Sequence, residues 1–381
     1  MQYDKNENLI ARIIRNPDEK YAVKNRLWQG CPTILCTPKG RLFAGWYSGG
    51  SGEPSLSNYN LLIRSDDHGL TWSEPLLVIE SLKQERVIAI DIQLWLDPMN
   101  RMHLFWTQRD ANVPIQSPDH LRLWSIICDD PDADELKWSD PQMIAPGFLR
   151  CQPTVLSDGR WVLCAYDWFG TRYHYSESAD QGKTWIRREG AVKTNPTNFD
   201  ESMILERKDG SLLMFARNTS AGFISQSVSP DKGKTWEEVS LSSIPNPSTR
   251  FYLRRLKSGR VLLISNIDSK RRINMTAMLS EDDGKTWKYS LLLDPRETSY
   301  PDAVEGSDGY IYAVHDRGRG SFREIIISRF TEEDIIAGEL RDHGSWTGHI
   351  VSKAPHIPAD PEAAELQKQE DRKFKFQEIA N

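Results

Sequence analysis

The chain has 381 residues, of which 27% are charged and 39% hydrophobic, and its formal net charge is −6. This length exceeds the roughly 250–300 residues at which a single hydrophobic core stops growing, so it predicts two domains or an array of repeats. The acidic balance, without a long basic run, excludes the electrostatic footprint of nucleic-acid binding, and no apolar run approaches the roughly 20 residues of a membrane span.

The N-terminal segment MQYDKNENLIARIIRNPDEK contains no apolar stretch of the kind found in secretory signals. Five scattered cysteines are typical of buried thiols in a reducing compartment rather than of a disulfide framework. We therefore expect a cytoplasmic protein, or a secreted or periplasmic one if a leader has been removed. No Cys/His cluster has zinc spacing and no phosphate-binding loop is present, so we expect neither a metal nor a cofactor.

Six hairpin patterns follow one another along the chain, each with an alternating strand, a tight turn and an apolar strand. They cover residues 32–47, 92–107, 153–166, 202–217, 251–266 and 301–316. The turns carry Gly40, Asn100, Gly159, Gly210, Gly259 and Gly309. Such turn residues between alternating segments are strong hairpin signals. The chain is therefore predicted to repeat one unit six times.

A second pattern, an octapeptide, lies between the hairpins. Its copies are SDDHGLTW at 65, SADQGKTW at 178, SPDKGKTW at 229 and SEDDGKTW at 280. The glycine suits a positive φ, the aspartate suits capping of backbone N–H groups, and the tryptophan is expected to pack between neighbouring sheets. In the second repeat, Trp138 of DADELKWSDP keeps that position. Four copies around a ring cannot all face one substrate, so we interpret the octapeptide as architectural.

Four strands in each of six repeats predict an all-β fold, a six-bladed β-propeller of four-stranded antiparallel blades. We expect it to occupy residues 1–355, followed by a charged tail at 356–381 that forms a peripheral helix. Thr331 and Asp334 predict a capped short helix after the last hairpin. Either 8–16 or 345–353 is expected to close the ring as an outer strand.

The first strand of each blade lines the central tunnel of a propeller, which points to six candidate site residues. The residues nine positions before the six turn residues are Cys31, Asp91, Arg150, Glu201, Arg250 and Tyr300. Five of them are ionisable, and each stands at the start of an apolar strand, so we expect them to face one shared mouth. Charges of both signs suit an anionic sugar combined with acid–base chemistry.

The octapeptides resemble the Asp-box, or BNR, repeats of the sialidase superfamily, whose catalytic domains are six-bladed propellers. The resemblance implies a tyrosine nucleophile with a glutamate as its base, at Tyr300 in SYPDAVEG and Glu201 in FDESMILE. A neutral phenol that loses its proton only as it attacks avoids the repulsion that an anionic nucleophile would meet from a sugar carboxylate.

The same resemblance implies three arginines that clamp the substrate carboxylate, because the planar guanidinium group matches it. Arg217 matches the second arginine, and Arg272 matches the third, with Arg271 as its alternative. Where the first is expected, the segment QGCPTI places Gly30. The nearby candidates to replace it are Arg26, Arg150 and Arg250. The last two have no counterpart in the family motif and suit a different anion, such as a uronate or a sulfate.

The family's general acid is an aspartate in the loop after the second strand of blade one. Here the glycine-rich loop SGGSGEPSLSNYN (48–60) offers Glu53, and Asp91 on the tunnel strand of blade two is the alternative. Glycine-rich loops of this kind form mobile lips over pockets. Tyr59 and His315 are further candidates to contact the substrate.

We therefore expect an exo-acting glycoside hydrolase that cleaves a terminal acidic sugar, sialic acid or another anionic sugar, with retention of configuration. Its partner would be an acidic oligosaccharide or glycoconjugate, and neither nucleic acid nor a membrane. Two alternatives stay open. One is a uronate-directed lyase on a propeller scaffold, and the other is a glycan-binding propeller without turnover.

Overall fold

The computed structural model describes residues 9–114, 117, 120–168, 170–194, 199–356 and 361–380, and side chains within the last range for 361, 362 and 364–373. Across these residues the strands form six antiparallel blades, which confirms the predicted six-bladed β-propeller. No helix in the same part of the chain is both long enough and apolar enough to cross a membrane.

The first three blades differ in their strand content. Blade one contains β1 (Arg12–Arg15), β2 (Trp28–Cys36), β3 (Leu42–Gly49), β4 (Tyr59–Ser65) and β5 (Leu77–Glu80). Blade two contains β6 (Val87–Leu96), β7 (Met102–Asp110), β8 (Leu121–Cys128) and β9 (Gln142–Pro146). Blade three contains β11 (Thr154–Val155), β12 (Trp161–Leu163), β14 (Arg172–Ser178) and β15 (Ile186–Val192), and a small ladder beside it pairs β10 (Phe148–Leu149) with β13 (Ala165–Tyr166).

The last three blades have four strands each, in chain order. Blade four contains β16 (Ser202–Glu206), β17 (Leu212–Ala216), β18 (Phe223–Ser229) and β19 (Ser240–Pro245). Blade five contains β20 (Tyr252–Arg255), β21 (Val261–Asn266), β22 (Met275–Ser280) and β23 (Tyr289–Asp294). Blade six contains β24 (Ser299–Glu305), β25 (Ile311–Arg317), β26 (Glu324–Phe330) and β27 (Trp346–Lys353).

Both terminal segments serve as outer strands, so the two alternatives for ring closure are not exclusive. Residues 12–15 pair with β5 in blade one, and residues 346–353 pair with β26 in blade six. Asn8, the first residue of the predicted N-terminal strand, lies outside the described residues. Each described blade is thus built from strands that follow one another in the chain, with β1 as a fifth strand added to blade one.

Burial explains the apolar character of the inner strands. Every residue of β2 is buried, whereas the outer strand β9 is half exposed, because inner strands have a neighbouring sheet on both faces. The hydrophobic clusters accordingly lie between adjacent blades. One cluster joins side chains of blades two to five, and smaller clusters join blades one and two and blades five and six.

The octapeptides form turns built by their own side chains. In SPDKGKTW, the Asp231 carboxylate accepts hydrogen bonds from the amide and hydroxyl of Thr235, at 2.8 and 2.7 Å. The glycine has φ of 93°, and Lys232 before it has φ of 57°. Ser229 donates to Asp231 and accepts from the glycine amide. The four box tryptophans are half-buried rather than fully buried, packing at the edge of the core.

Two helices follow the last hairpin. The predicted capping box is present, since Thr331 and Asp334 exchange hydrogen bonds at the start of α1 (Glu332–Ala337). The helix α2 (Pro361–Ala380) lies in the predicted tail and packs against the loop between β3 and β4. Residues 357–360 and 381 of that tail lie outside the described residues.

Candidate active site

A cavity of about 460 Å³ opens at one mouth of the propeller, and all six blades contribute to its wall. Four arginines and three acidic residues line it, facing a wall of aromatic side chains. The charged residues are Glu53, Asp91, Arg109, Glu201, Arg217, Arg272 and Arg319. Tyr300 stands among them at 7% exposure. The combination of both charge signs with apolar surface is typical of a ligand site.

Local backbone irregularities turn three of the predicted tunnel residues into this cavity. Cys31, Asp91 and Tyr300 have φ values of 58°, 41° and 55°. At each of them the pairing with the second strand shifts register, as in a β-bulge. A bulge re-aims a side chain, and a side chain in the left-handed region is strained, so these positions depart from regular strands where the cavity begins.

Tyr300, Glu201 and Arg217 form one hydrogen-bonded group. The Tyr300 hydroxyl donates to Glu201 Oε1 at 2.7 Å. Arg217 Nη1 lies 3.0 and 2.8 Å from the two Glu201 oxygens and 2.9 Å from the Tyr300 oxygen. Glu201 starts the inner edge of blade four, and Arg217 follows β17 in the same blade. The predicted pairing of Glu201 with Tyr300 is therefore present as a direct contact.

Burial and charge act in opposite directions on this group. Burial disfavours ionisation of Glu201, but the Arg217 guanidinium and the Tyr300 hydrogen bond outweigh it, so the Glu201 pKa lies below its ordinary value. Burial, reinforced by the Glu201 charge, raises the pKa of Tyr300 above its ordinary value. In the resting pair, the glutamate is ionised and accepts a hydrogen bond from the neutral phenol.

Further guanidinium groups surround the Tyr300 ring. The Cζ atoms of Arg319, Arg150 and Arg272 lie 4.1, 5.1 and 5.7 Å from its centroid. Arg272 also donates to the Ser248 carbonyl at 2.8 Å. Cations at these distances interact favourably with an aromatic face. They would also stabilise negative charge on the phenol oxygen.

Arg319 occupies the space left by Gly30. A Cβ atom on Gly30 would lie 2.7 Å from both Cγ and Cδ of Arg319, closer than real side chains approach. Arg319 comes from the loop after β25, where its Nε donates to Asp316 at 2.9 Å and its Nη1 to Glu53 at 2.5 Å. The resemblance to sialidases implies an arginine at the position of Gly30. A guanidinium group from blade six, that of Arg319, lies beside this position instead.

The two predicted acids have different surroundings. Glu53 pairs with Arg319, and its second oxygen lies 3.8 Å from Cys31 Sγ. Asp91 is 5% exposed, and its Oδ1 atom has no hydrogen-bond partner among the described residues. Burial raises the pKa of Asp91 to about 6, against the opposing effect of Arg150, whose Nε lies 3.6 Å from Asp91 Oδ2. Arg150 itself is buried beneath the cavity wall.

Four of the predicted substrate-binding residues do not line this cavity. Arg250 is fully buried in an ion pair with Asp302 at 3.1 Å, deeper along the axis. Arg26 donates to the Tyr21 carbonyl and to Ser352, joining blades one and six. Tyr59 packs against Tyr21, and His315 contacts Asp294 at 3.2 Å. Arg271, the alternative to Arg272, is exposed and lies 3.8 Å from Asp268.

Sequence reasoning missed Arg319, Arg109 and the aromatic wall formed by Tyr47, Phe148, Tyr166, Trp168 and Phe199. Arg109 stands near the end of β7, the second strand of blade two, much as Arg217 stands at the end of the second strand of blade four. That equivalence was a usable signal. Arg319 lies in the loop after β25, and the strand pattern gives no comparable signal for it.

One group of potential metal ligands occurs in the described part of the chain. Cys31, Glu53 and Asp91 bring one ligand atom each within 4.8 Å of one another. The two carboxylates already face the guanidinium groups of Arg319 and Arg150, which compete with a cation for them.

Comparisons with known proteins agree with this architecture. A family model described as "BNR repeat-like domain" matches residues 40–313. The chain is 29% identical over 328 residues to a sialidase of Micromonospora viridifaciens, in an alignment that covers 76% of this chain and 50% of that protein. This chain therefore spans about half of that relative's length.

Solved structures of similar fold include two intramolecular trans-sialidases. The one from Ruminococcus gnavus, in complex with oseltamivir carboxylate, has a TM-score of 0.65 at 17% identity, over 86% of this chain and 98% of that one. The leech protein has a TM-score of 0.66 at 15% identity, over 86% of this chain and 71% of that one. At these identities the likeness concerns the fold.

Proposed function

This chain belongs to the BNR repeat-like family, in the sialidase superfamily of propellers, and from that premise we propose that it is a glycoside hydrolase that removes a terminal acidic sugar with retention of configuration. The observation that carries the proposal is the 2.7 Å contact between the Tyr300 hydroxyl and Glu201 inside an arginine-lined cavity. A nucleophile within hydrogen-bond reach of its base, held by a third group, is the general pattern of covalent catalysis.

The reaction would proceed in two displacements. Tyr300 Oη attacks the anomeric carbon while Glu201 takes the phenolic proton, and the bond to the leaving oxygen breaks as a carboxylic acid of the cavity protonates that oxygen. Water then attacks the anomeric carbon from the face opposite the tyrosine, and its proton passes to the carboxylate that protonated the leaving oxygen. The bond to Tyr300 Oη breaks, and Glu201 returns its proton to that oxygen, so two displacements retain the configuration. Arg217 contacts both Glu201 and Tyr300, and it would stabilise the charge that moves between their oxygens.

Three cavity arginines would hold the acid group of the sugar. Arg217, Arg272 and Arg319 approach Tyr300 from different blades, and guanidinium groups bind carboxylates through paired hydrogen bonds. Arg319 takes the place that the family motif gives to an arginine at the position of Gly30. Arg319 lines the cavity, and no described residue accepts a hydrogen bond from its Nη2 atom.

We assign proton donation to Asp91 rather than Glu53. A proton donor needs a pKa near the working pH, and burial raises the Asp91 pKa to about 6. Glu53 instead pairs with Arg319 and would orient that guanidinium group. Asp91 lines the cavity, and no described residue forms a hydrogen bond with its Oδ1 atom.

The proposal is tested with a panel of chromogenic sialosides, uronides and sulfated glycosides, assayed with wild type and with Tyr300→Phe. We expect turnover of at least one acidic glycoside and a loss of roughly 10³-fold or more in the variant, since the two-step route loses its nucleophile. Turnover of none of them, with binding unaffected by the substitution, would instead support a glycan-binding propeller. An unsaturated product would support a lyase.

A further inference from the structure

The loop that brings Glu53 and Pro54 into the cavity wall is held from behind by the C-terminal helix α2. Asp371 of this helix is 4% exposed. Its Oδ2 accepts hydrogen bonds from the amide and hydroxyl of Ser51, both at 2.8 Å. Its Oδ1 accepts from the Ser55 hydroxyl and, at 3.1 Å, from Gln367 in the same helix. One carboxylate therefore binds the loop on both sides of Glu53.

The loop has a shape that admits this carboxylate. A Cβ atom on Gly50 would lie 3.0 Å from Asp371 Oδ2 and 2.9 Å from Ser55 Oγ, so only a residue without a side chain leaves the space open. Ser55 is 1% exposed, which places its bond to Asp371 inside the structure rather than on its surface. The contact is a buried, hydrogen-bonded interface between two parts of the chain that are far apart in sequence.

Neighbouring contacts extend the same interface. Gln367 donates to the Ser57 hydroxyl, and Lys83 lies 3.4 Å from Glu370. The apolar face of the helix contributes Ala364, which is buried at 6% exposure. Among these groups Asp371 makes the most contacts to the loop, and hydrogen bonds to an ionised acceptor are about twice as strong as neutral ones.

We propose that α2 acts as a clasp on the active-site lip, with Asp371 as the positioning residue. By fixing residues 50–57, Asp371 holds Glu53 against Arg319 Nη1 and keeps Pro54 in the cavity wall. The glycine-rich loop, which composition alone predicts to be mobile, is thereby ordered. The effect on turnover rests on the proposed function, whereas the effect on the loop does not.

The test compares the full-length protein with Asp371→Asn and with Glu365→Gln. The control removes the same charge from an exposed residue of the same helix, whose contact is Lys368 at 3.6 Å. Hydrogen exchange reports on residues 49–58, and alkylation by iodoacetamide, mapped by mass spectrometry, reports on Cys31 behind Glu53. Cys36, which is buried in the same strand, serves as the internal reference.

In Asp371→Asn we expect amide exchange in 49–58 and alkylation of Cys31 to accelerate by roughly tenfold or more, as for the loss of charge-assisted hydrogen bonds, with β16 and β17 unchanged. We also expect a higher KM for the acidic substrate, with a smaller change in kcat. Exchange or alkylation equal to that of Glu365→Gln would overturn the clasp, as would an altered loop with unaltered KM. If the wild type hydrolyses no glycoside, the proposed function fails while the exchange and alkylation results still decide the clasp.

Discussion

Tyr300 combines a strained backbone with an unusually cationic environment. Its φ of 55° is rare for a residue with a bulky side chain, and such strain persists where the surrounding structure enforces it. Guanidinium groups from blades three, five and six surround its ring, and that of Arg217 contacts its hydroxyl. The neutral phenol is favoured by burial, whereas the phenolate formed during attack is favoured by the arginines.

The substitution Gly30→Ala tests the role of Arg319 without replacing the arginine itself. The added Cβ would force the Arg319 side chain out of its place, because only 2.7 Å separates the two. We expect the KM for an acidic substrate to rise by about 10-fold or more, the effect of one charge-assisted contact. Steady-state kinetics measure this. Gly320→Ala is the control, since its Cβ would meet no atom nearer than Trp28 Cδ1 at 3.9 Å, and equal KM values for the two variants would contradict the assignment.

The role of Asp91 predicts a pH dependence of defined sign. Its folded-state pKa of about 6 lies above the ordinary value, so the acid keeps its proton up to that pH and loses it above. We expect kcat for a substrate with a poor leaving group to fall as the pH rises through about 6. In Asp91→Asn that fall disappears, and the rate below pH 6 is lower by about 10²–10⁴-fold, the usual contribution of general acid catalysis.

Leaving-group dependence separates Asp91 from Glu53. Loss of the proton donor slows an alkyl glycoside far more than a nitrophenyl glycoside, whose leaving group needs no proton. We expect this contrast in Asp91→Asn, and in Glu53→Gln a rise in KM that is similar for both substrates. The reverse pattern would make Glu53 the donor.

Among the structural elements, the octapeptide turns show how a repeated motif stabilises the fold without entering the site. Each box aspartate accepts hydrogen bonds from the amide and hydroxyl of the threonine four residues later. The bulged inner strands have the opposite role, because they give up regular pairing where the chain must present Cys31, Asp91 and Tyr300. The octapeptide turns thus stabilise the fold, whereas the bulges within the inner strands shape the cavity.

The box turns predict a loss of stability in acid. Hydrogen bonds from Thr235 lower the pKa of Asp231 to about 2, below the ordinary value of 3.8. A depressed pKa contributes stability above the unfolded pKa that is lost as the pH falls toward 2. We expect Asp231→Ala to have a lower Tm than wild type at pH 7, and the difference to shrink between pH 4 and pH 2. Differential scanning calorimetry measures both, with exposed Glu238→Ala as the control; an undiminished difference at pH 2 would argue against this source of stability.

At the scale of the whole molecule, a buried polar network ties the inner strands together on the axis. Asp302 Oδ2 accepts from Thr33 at 2.6 Å and from Gln93 at 3.0 Å, and Asp302 Oδ1 accepts from Arg250 at 3.1 Å. These residues come from blades six, one, two and five. Breaking a buried ion pair of this kind typically costs about 3–5 kcal/mol, so we expect Arg250 to contribute to the stability of the ring.

The sequence predicted the number of blades and the positions of the hairpins, because these follow from local periodicity. The pairing of Glu201 with Tyr300 was implied by the resemblance to sialidases. The sequence did not predict the buried ion pair of Arg250 or the position of Arg319 in the cavity wall. The sequence pattern around an arginine at a strand start is the same whether its side chain points into the cavity or away from it. For Arg250 the direction depends on the ion pair with Asp302, which lies in another blade. Arg319 enters through a loop whose path no periodicity encodes.

Covalent attack of Tyr300 on the sugar can be tested by trapping the glycosyl-enzyme intermediate. A fluorinated analogue of the acidic glycoside that the wild type cleaves slows the second displacement, and the intact protein and its peptides are then weighed by mass spectrometry. We expect one added sugar on the peptide that contains Tyr300, and none in Tyr300→Phe. An adduct on any other residue, or rapid turnover of natural substrate by Tyr300→Phe, would contradict attack by Tyr300.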